Sequence, residues 1–459
     1  MRPVALSQVA RWTQGRHLGA DVDITSVGTD TRALVPGALF VALRGENFDA
    51  HDFIAEAEAR GAGALLVHRD VDSSLPRVLC ADTEEALGEF AAGMHKGRPA
   101  VVVAMTGSNG KTSVKTLTHG ILSRAGRTYI NPGNRNNEIG LPLAVLDAPE
   151  DAQFAIYEMG AGKPGDIAYL ASIVPPQVAL VNNIAPAHME RMGSLLGIAE
   201  TKGAIYEALP DDGIAVINAD DAFAPFFQQI VGNRRSFRYG IENGGDVRAT
   251  RILPEAGASR FHLQTPAGSA DIHLPLPGQH NVLNALAASA LAIAAGAGFD
   301  AVVEGLQQAE PVKGRQVATR LPNGATLIDD SYNANPGSVA AAIATLAQGG
   351  GEAWLVLGDM KELGPDAEAL HAQVGAQARA ARLGRLWTVG SLSAAASTAF
   401  GADGAHFASQ DELVAALRRA LRAHGDRVGL RVLVKGSRSS AMDQVVAALL
   451  ADGGDGHAA

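Results

Sequence analysis

Short apolar runs, rich in β-branched residues, recur along this chain with longer helix-patterned stretches between them, and that alternation leaves few folds open. PAVVVAM (99–105), FAIYEM (154–159), VALVNNI (178–184) and GIAVINA (213–219) are apolar almost throughout. Strands without a polar face are buried on both sides, which calls for a parallel sheet covered by helices. The pattern is interrupted by AEPVKGRQ (309–316) and then resumes in ATLIDD (325–330), AWLVLGD (353–359), RLWTVG (385–390) and RVLVKGS (431–437). Upstream, GALFVAL (37–43) and GALLVH (63–68) read as shorter strands among Gly, Asp and Arg clusters. A chain of 459 residues is too long for one core. The expected architecture is therefore α/β in three domains: a smaller N-terminal α/β unit (1–98), a central parallel-sheet domain (99–312) and a C-terminal Rossmann-like domain (313–459).

Composition narrows the function. There are 38 basic and 48 acidic residues, a net charge of −10, which disfavours nucleic acid or an anionic membrane surface as partner. Anionic small ligands remain possible, because a phosphate site needs only local N–H groups and one or two cations. Cys80 is the only cysteine, so no intrachain disulfide can form and a reducing cytoplasm is the expected location. Within RVLCADT it reads as a packed thiol. The first residues lack an apolar stretch of signal-peptide length, and Ala5, Leu6, Val9 and Trp12 read as one helix face. The Ala-rich run 282–298 contains Asn284 and Ser289 and reads as a buried helix, not a membrane span. The tail DGGDGHAA (452–459) is expected to fray.

The central block opens with a strand, Val101 to Val103, followed by TGSNGKTS and a helix whose Val114, Leu117, Ile121 and Leu122 share a face. Strand, glycine turn, Lys, Thr and helix is the arrangement that cradles phosphate. Gly107 and Gly110 let backbone N–H groups approach, Lys111 supplies a cation, and Thr112 offers a hydroxyl to Mg²⁺ at the positive helix end. Met105 stands where the longer form of this motif has its first glycine. Glu158 ends one strand and His188 follows another, and the C-terminal strand ends of a parallel sheet converge on one crevice. Hard oxygens from Thr112 and Glu158 suit Mg²⁺, whereas a lone His is unusual for it.

Together, TGSNGKTS, NPGNRNNEIGLP (131–142), YEMGA (157–161) and NNIAPAHMERMGSLLGIAETKGAIYEAL (182–209) resemble the central ATPase domain of the Mur ligases. The resemblance continues in LPGQHNVLNALAA (276–288), IDDSYNANPGSV (328–339), LGDMKELG (357–364) with His371, and VLVKGSRS (432–439). TDTR (29–32) and GALFVALRGENFDAHDF (37–53) are similar to the uridine-nucleotide domain of the same family, so all three blocks are covered. Within the family, NPGNRNNEIGLP is closest to the branch that adds D-alanyl-D-alanine.

The resemblance implies ATP-dependent ligation of D-alanyl-D-alanine to UDP-N-acetylmuramoyl-tripeptide through an acyl phosphate, with Mg²⁺. No protein nucleophile is needed, so the expected site consists of positioning groups and charge. Lys111, Glu158, His188 and Lys202 are the implied catalytic set. Thr112, Glu158, His188 and Lys202 would serve the metal, Lys202 after carbamylation, because a carbamate has two hard oxygens where an amine has none. Gly107, Ser108, Asn109, Gly110, Lys111, Thr112 and Ser113 would hold ATP, with Asn281 near adenine or ribose, Arg315 at the terminal phosphates and Asp330 at the ribose. Thr31, Arg32, Asn47, Asp49 and His51 would meet the uridine nucleotide. Asn134, Asn136 and Asn137 would hold the muramoyl peptide, and Asn333, Asn335, Lys435 and Arg438 would face a substrate from the C-terminal block.

Two relatives fit less well. Folylpolyglutamate synthase lacks the uridine-nucleotide domain, and the Mur enzyme that adds diaminopimelate or lysine carries an Asp-Asn-Pro-Arg type motif absent here. A nucleotide switch protein would explain the phosphate loop but not the flanking blocks. A monomer is expected, an assignment the sequence leaves open, as it does the choice of diaminopimelate or lysine as third peptide residue. Because Lys111 and Arg315 fall in different blocks, the C-terminal block is expected to close on the others about 309–316, with Gly314 absorbing the change.

Overall fold

The computed structural model describes residues 1–45, 48–186, 189–255, 257–425 and 429–451. The tail 452–459, expected to fray, lies outside the described residues. Among these residues the central sheet runs Gly268–Leu274, Ala258–Thr265, Val247–Glu255, Arg235–Gly240, Ile214–Asn218, Val178–Val181, Val101–Thr106, Phe154–Glu158, Thr128–Ile130. From Thr128–Ile130 to Val247–Glu255 every neighbouring pair is parallel. The apolar runs explain this, since Val102 to Met105 and Ile214 to Asn218 are buried throughout.

The sheet does not stay parallel to its edge. Val247–Glu255, Ala258–Thr265 and Gly268–Leu274 form an antiparallel meander that the sequence reading did not separate out. Its strands are half-polar: Val247, Ala249, Phe261, Leu263, Ile272 and Leu274 point inward, while Arg248, Arg260 and Asp271 are exposed. One solvated face is the physical signature of an antiparallel edge.

The C-terminal sheet has the order Val317–Arg320, Thr326–Asp330, Arg431–Lys435, Ala353–Gly358, Arg385–Val389, Gly404–Phe407, with only the first pair antiparallel. Its chain order reverses beside Arg431–Lys435, the place where doubly wound sheets open a crevice. The N-terminal sheet is smaller, with Leu39–Val41 and Ala64–Val67 at its centre. The first helix is Leu6–Trp12. Ala5 precedes it in a two-residue strand, a small correction to the expected helix face.

Helix Lys111–Ala125 follows the phosphate turn and buries Val114, Leu117, Ile121 and Leu122. Helix Gln279–Ala294, the Ala-rich segment, packs beside it, and no helix among the described residues is long and apolar enough to cross a membrane. Phe299–Gln307 approaches closely because of Gly305, where a Cβ would lie 2.8 Å from the Ile121 Cα.

The three parts join unequally. One apolar core runs without a break from Leu6, Leu87 and Phe90 of the N-terminal part to Val145, Tyr157 and Leu170 of the central part. The two cores of the C-terminal sheet contain residues from 321 onward only.

Candidate active site

Register places the active groups. Glu158 pairs with Met105, and Val181 with Thr106, so three strands end level with the glycine turn. Gly110 has φ 79°, a left-handed conformation that glycine adopts without strain, and a Cβ there would meet Asn284 Oδ1 at 2.5 Å and Asn182 Nδ2 at 2.6 Å. The next strand holds the turn from below. Ser108 N–H donates to the Asn183 carbonyl (2.9 Å), Asn109 N–H donates to Asn183 Oδ1 (2.8 Å), and Asn182 Nδ2 donates to the Asn109 carbonyl (2.9 Å). Buried Tyr239 completes this support by donating to Asn182 Oδ1 (2.9 Å).

Lys111 Nζ donates to the Gly107 carbonyl at 2.8 Å. Lost hydration lowers its pKa, Glu158 opposes that shift, and Arg315 adds to it. The Thr112 hydroxyl donates to Glu158 Oε2 (2.9 Å) and accepts from Arg315 Nη2 (2.9 Å), while Asn136 Nδ2 donates to Glu158 Oε1 (2.9 Å). Burial would raise the Glu158 pKa, but Lys111 and Lys115 hold it below the ordinary value. Lys111 and Arg315, which line the cavity beside this carboxylate, make a positive cradle complementary to a polyphosphate.

Lys202 lies in helix Leu195–Glu207 and is 2 % exposed. Burial, with Lys111 nearby, brings its pKa down to about 7, which favours the neutral amine. His188, the other expected metal residue, lies outside the described residues. Thr112 and Glu158 offer hard oxygens in the cradle, a donor set that fits Mg²⁺.

A cavity of about 690 Å³ brings the central and C-terminal parts together. Ser108 to Ser113, Asn134, Asn136, Asn137, Glu158, Asn281, Arg315, Asp330, Asn333, Asn335, Lys435 and Arg438 all line it. From the C-terminal side, Lys435 pairs with Asp330 (2.7 Å) and donates to the Asn333 carbonyl (2.9 Å). Burial raises the Asp330 pKa, and Lys435 opposes that. Asn335 Nδ2 donates to Asn109 Oδ1 at 2.7 Å, linking the two sheets. The Arg315 guanidinium lies 4.5 Å from the centre of the Tyr332 ring. Arg438 is exposed and pairs with Asp443 (2.9 Å), and Asn281 Nδ2 donates to the Pro277 carbonyl (2.8 Å).

Of the expected uridine-nucleotide residues, Thr31, Arg32, Asp49 and His51 do not line this cavity. Thr31 donates its hydroxyl to Glu56 (3.0 Å), and exposed Arg32 pairs with Asp30 (2.6 Å). His51 is enclosed: Nδ1 bonds Asp49 at 2.6 Å and Nε2 accepts from the His68 N–H at 3.1 Å. Both ring nitrogens being engaged, His51 shapes the loop from within. Although Asp49, His51 and His68 cluster closely enough for a metal, the engaged His51 nitrogens and the Arg69 guanidinium 3.3 Å from Asp49 make this a hydrogen-bonded support. Asn47 lies outside the described residues.

Comparison with known proteins supplies the context. Three family descriptions match in order: Mur ligase family, catalytic domain, at residues 23–95; Mur ligase middle domain at 105–292; and Mur ligase, glutamate ligase domain, at 314–438. UDP-N-acetylmuramoyl-tripeptide--D-alanyl-D-alanine ligase of Escherichia coli K12 is 47% identical over 454 residues, covering 99% of this chain and 100% of its own. The chain belongs to the Mur ligase family. MurF from Acinetobacter baumannii superposes with a TM-score of 0.94 at 35% identity, covering 98% of this chain and 99% of its own. MurF ligase from Thermotoga maritima, solved in complex with ADP, matches with a TM-score of 0.82 at 27% identity, covering 92% and 96%. Folylpolyglutamate synthase of Mycobacterium tuberculosis shares the fold alone, at 19% identity and a TM-score of 0.65 over 80% of this chain.

Several groups of this Mur ligase were missed in the sequence. Asn182, Asn183 and Tyr239 support the phosphate turn from strand ends, and Lys115 bonds behind it. The doubled Asn182-Asn183 closing an apolar strand was the available signal, because buried amides at a strand end need partners. Lys115 follows Lys111 by one helical turn, which puts both on the same face.

Proposed function

We propose that this Mur ligase joins D-alanyl-D-alanine to UDP-N-acetylmuramoyl-tripeptide in the cytoplasm, using ATP and Mg²⁺. Whole-length identity of 47% to a ligase of that name carries the reading, and the cradle supplies the groups the reaction needs. Lys111 and the N–H groups of 107–113 bind the ATP phosphates, Arg315 faces the terminal ones, and Asn281 and Asp330 hold the nucleoside. Thr112, Glu158, His188 and, as its carbamate, Lys202 would hold Mg²⁺, which would supply neutralising charge for the polyphosphate.

Asn134, Asn136 and Asn137 orient the muramoyl peptide so that its terminal carboxylate attacks the γ-phosphorus. The bond from that phosphorus to the bridging oxygen of ADP breaks, giving an acyl phosphate. The D-alanyl-D-alanine amine then attacks the acyl carbon, a proton leaves the nitrogen, and phosphate departs. Lys435 and Arg438 face the substrates from the C-terminal side, and Thr31, Arg32 and Asp49 serve the uridine nucleotide. Water has to be kept from the acyl phosphate, which a cavity lined from two domains favours.

The test is product mass after incubation with ATP, Mg²⁺, D-alanyl-D-alanine and either the diaminopimelate or the lysine form of UDP-muramoyl-tripeptide. A product heavier by one dipeptide residue pair is expected with at least one form. ATP hydrolysis that proceeds equally without peptide or amine would instead make the chain a nucleotide switch.

A further inference from the structure

Lys115 is a charged side chain that the proposed chemistry does not use. It is 2 % exposed and, unlike Lys111, Thr112, Ser113 and Thr116 of the same helix, it does not line the cavity. Its Nζ donates to the Asn131 carbonyl (3.0 Å) and the Gly133 carbonyl (2.9 Å), and lies 3.5 Å from Glu158 Oε2. An ammonium is costly to bury unless charge and hydrogen bonds replace its water, so a side chain in this position needs all three partners.

Those partners connect two functions. Asn131 and Gly133 begin the loop that presents Asn134, Asn136 and Asn137 to the cavity. Asn131 also clasps the metal-side strand, its Oδ1 accepting from the Glu158 N–H (3.0 Å) and its Nδ2 donating to the Glu158 carbonyl (3.1 Å). Asn136 returns from the far end of the loop to Glu158 Oε1. The loop is thus anchored to Glu158 by amides and to the phosphate helix by Lys115. Asn131 is buried but Asn134 and Asn137 are exposed, so burial holds the start of the loop and not the part that faces the cavity.

We infer that Lys115 is a positioning residue that sets the muramoyl-peptide loop 131–137 against the phosphate helix, so that bound peptide and bound ATP meet in register. The inference rests on reading 131–137 as the peptide loop. Lys115→Met keeps the stem and removes the ammonium. The expected result is a KM for UDP-muramoyl-tripeptide raised at least tenfold, ADP affinity by calorimetry within twofold of the parent, and faster hydrogen exchange in 131–137. Combined with Asn136→Ala, the increase in KM is expected to fall well short of the product of the two single effects, since both act on one loop. Lys115→Gln, which keeps one amide donor, is the second variant if methionine prevents folding, with a KM about fivefold above the parent.

An unchanged KM in a folded variant overturns the inference, as does an equal loss of ADP affinity, which would make Lys115 part of the phosphate site. If the parent fails to ligate either tripeptide, the functional reading is at fault. The exchange of 131–137 in the two variants then still decides whether Lys115 orders the loop, and unchanged exchange overturns that.

Discussion

Lys111 and Lys202 are lysines of one domain put to different uses by their surroundings. Lys111 rests on its own loop carbonyl and faces the cavity, ready to exchange that bond for phosphate oxygen. Lys111→Ala is expected to lower kcat by a factor of 10² to 10³, about 3–4 kcal/mol of transition-state stabilisation, with far-UV circular dichroism unchanged. Near-normal turnover would remove the phosphate-loop assignment. Lys202 is buried, which pushes its pKa down to about 7 and favours the neutral amine that can take up CO₂. Lys202→Ala is expected to be inactive and to recover partly with added formate or acetate, whereas Lys202→Arg stays inactive because a guanidinium cannot ligate metal. Full activity of the alanine variant without added acid would exclude the carbamate. Arg32, exposed on the N-terminal domain, is expected to matter to one nucleotide only. In Arg32→Ala the KM for the UDP substrate should rise at least fivefold while that for ATP holds, and equal changes in both would reassign it.

Helix Pro336–Gln348 shows how an element can carry stability and function through one side chain. Asn335 caps it, Oδ1 accepting from the Ser338 N–H (2.9 Å), while the Ser338 hydroxyl accepts from the Asn335 N–H (3.0 Å). The Asn335 Nδ2 is left free to reach Asn109 in the phosphate turn. Asn335→Asp preserves the cap, since Asp is as good an N-cap, but puts a carboxylate beside the phosphates. It is expected to keep Tm within about 2 °C while raising the KM for ATP several-fold. Asn335→Ala loses the cap as well, about 1 kcal/mol, and should lower Tm measurably. Equal Tm loss in both variants would mean that the bond to Asn109 contributes more than the cap. Elements of this kind were legible in the sequence where one period dominated. Val102 to Met105 could only be a buried strand, whereas Asn335, expected only to face a substrate, is also the N-cap of a helix. The meander 247–274 was not, because its half-polar strands resemble surface loops until their partners are known. Lys115 was missed for a similar reason: a lysine four residues after another reads as solvated helix surface, and only the fold turns that face inward.

For the molecule as a whole, the distribution of apolar contact indicates which part moves. The N-terminal and central parts share one core, through Leu87 and Phe90 against Val145 and Leu170, so separating them would expose large apolar surface. The cores of the C-terminal sheet are its own, and among its links to the phosphate turn are the hydrogen bonds of Arg315 to Thr112 and Asn335 to Asn109. Polar links of this sort each contribute about 1 kcal/mol, since water replaces them when they part. The connecting segment has Gly314 at φ 73° and Gln316 at φ 55° on either side of Arg315. A left-handed non-glycine residue costs of order 1 kcal/mol, strain that an open hinge could release. No sequence pattern shows this docking, because it depends on single side chains more than 200 positions apart, such as Thr112 and Arg315. The structure has the two sheets closed, Lys435 lining the same cavity as Lys111. In solution the ligand-free protein is expected to have a radius of gyration larger than this arrangement gives, shrinking to it when an ATP analogue and UDP-muramoyl-tripeptide are both bound. Arg315→Ala with Asn335→Ala should enlarge the free state further and weaken the shrinkage. A ligand-free radius already equal to that of the closed arrangement, and unmoved by ligands, would mean that the domains are held together by more than these bonds and that catalysis proceeds without closure.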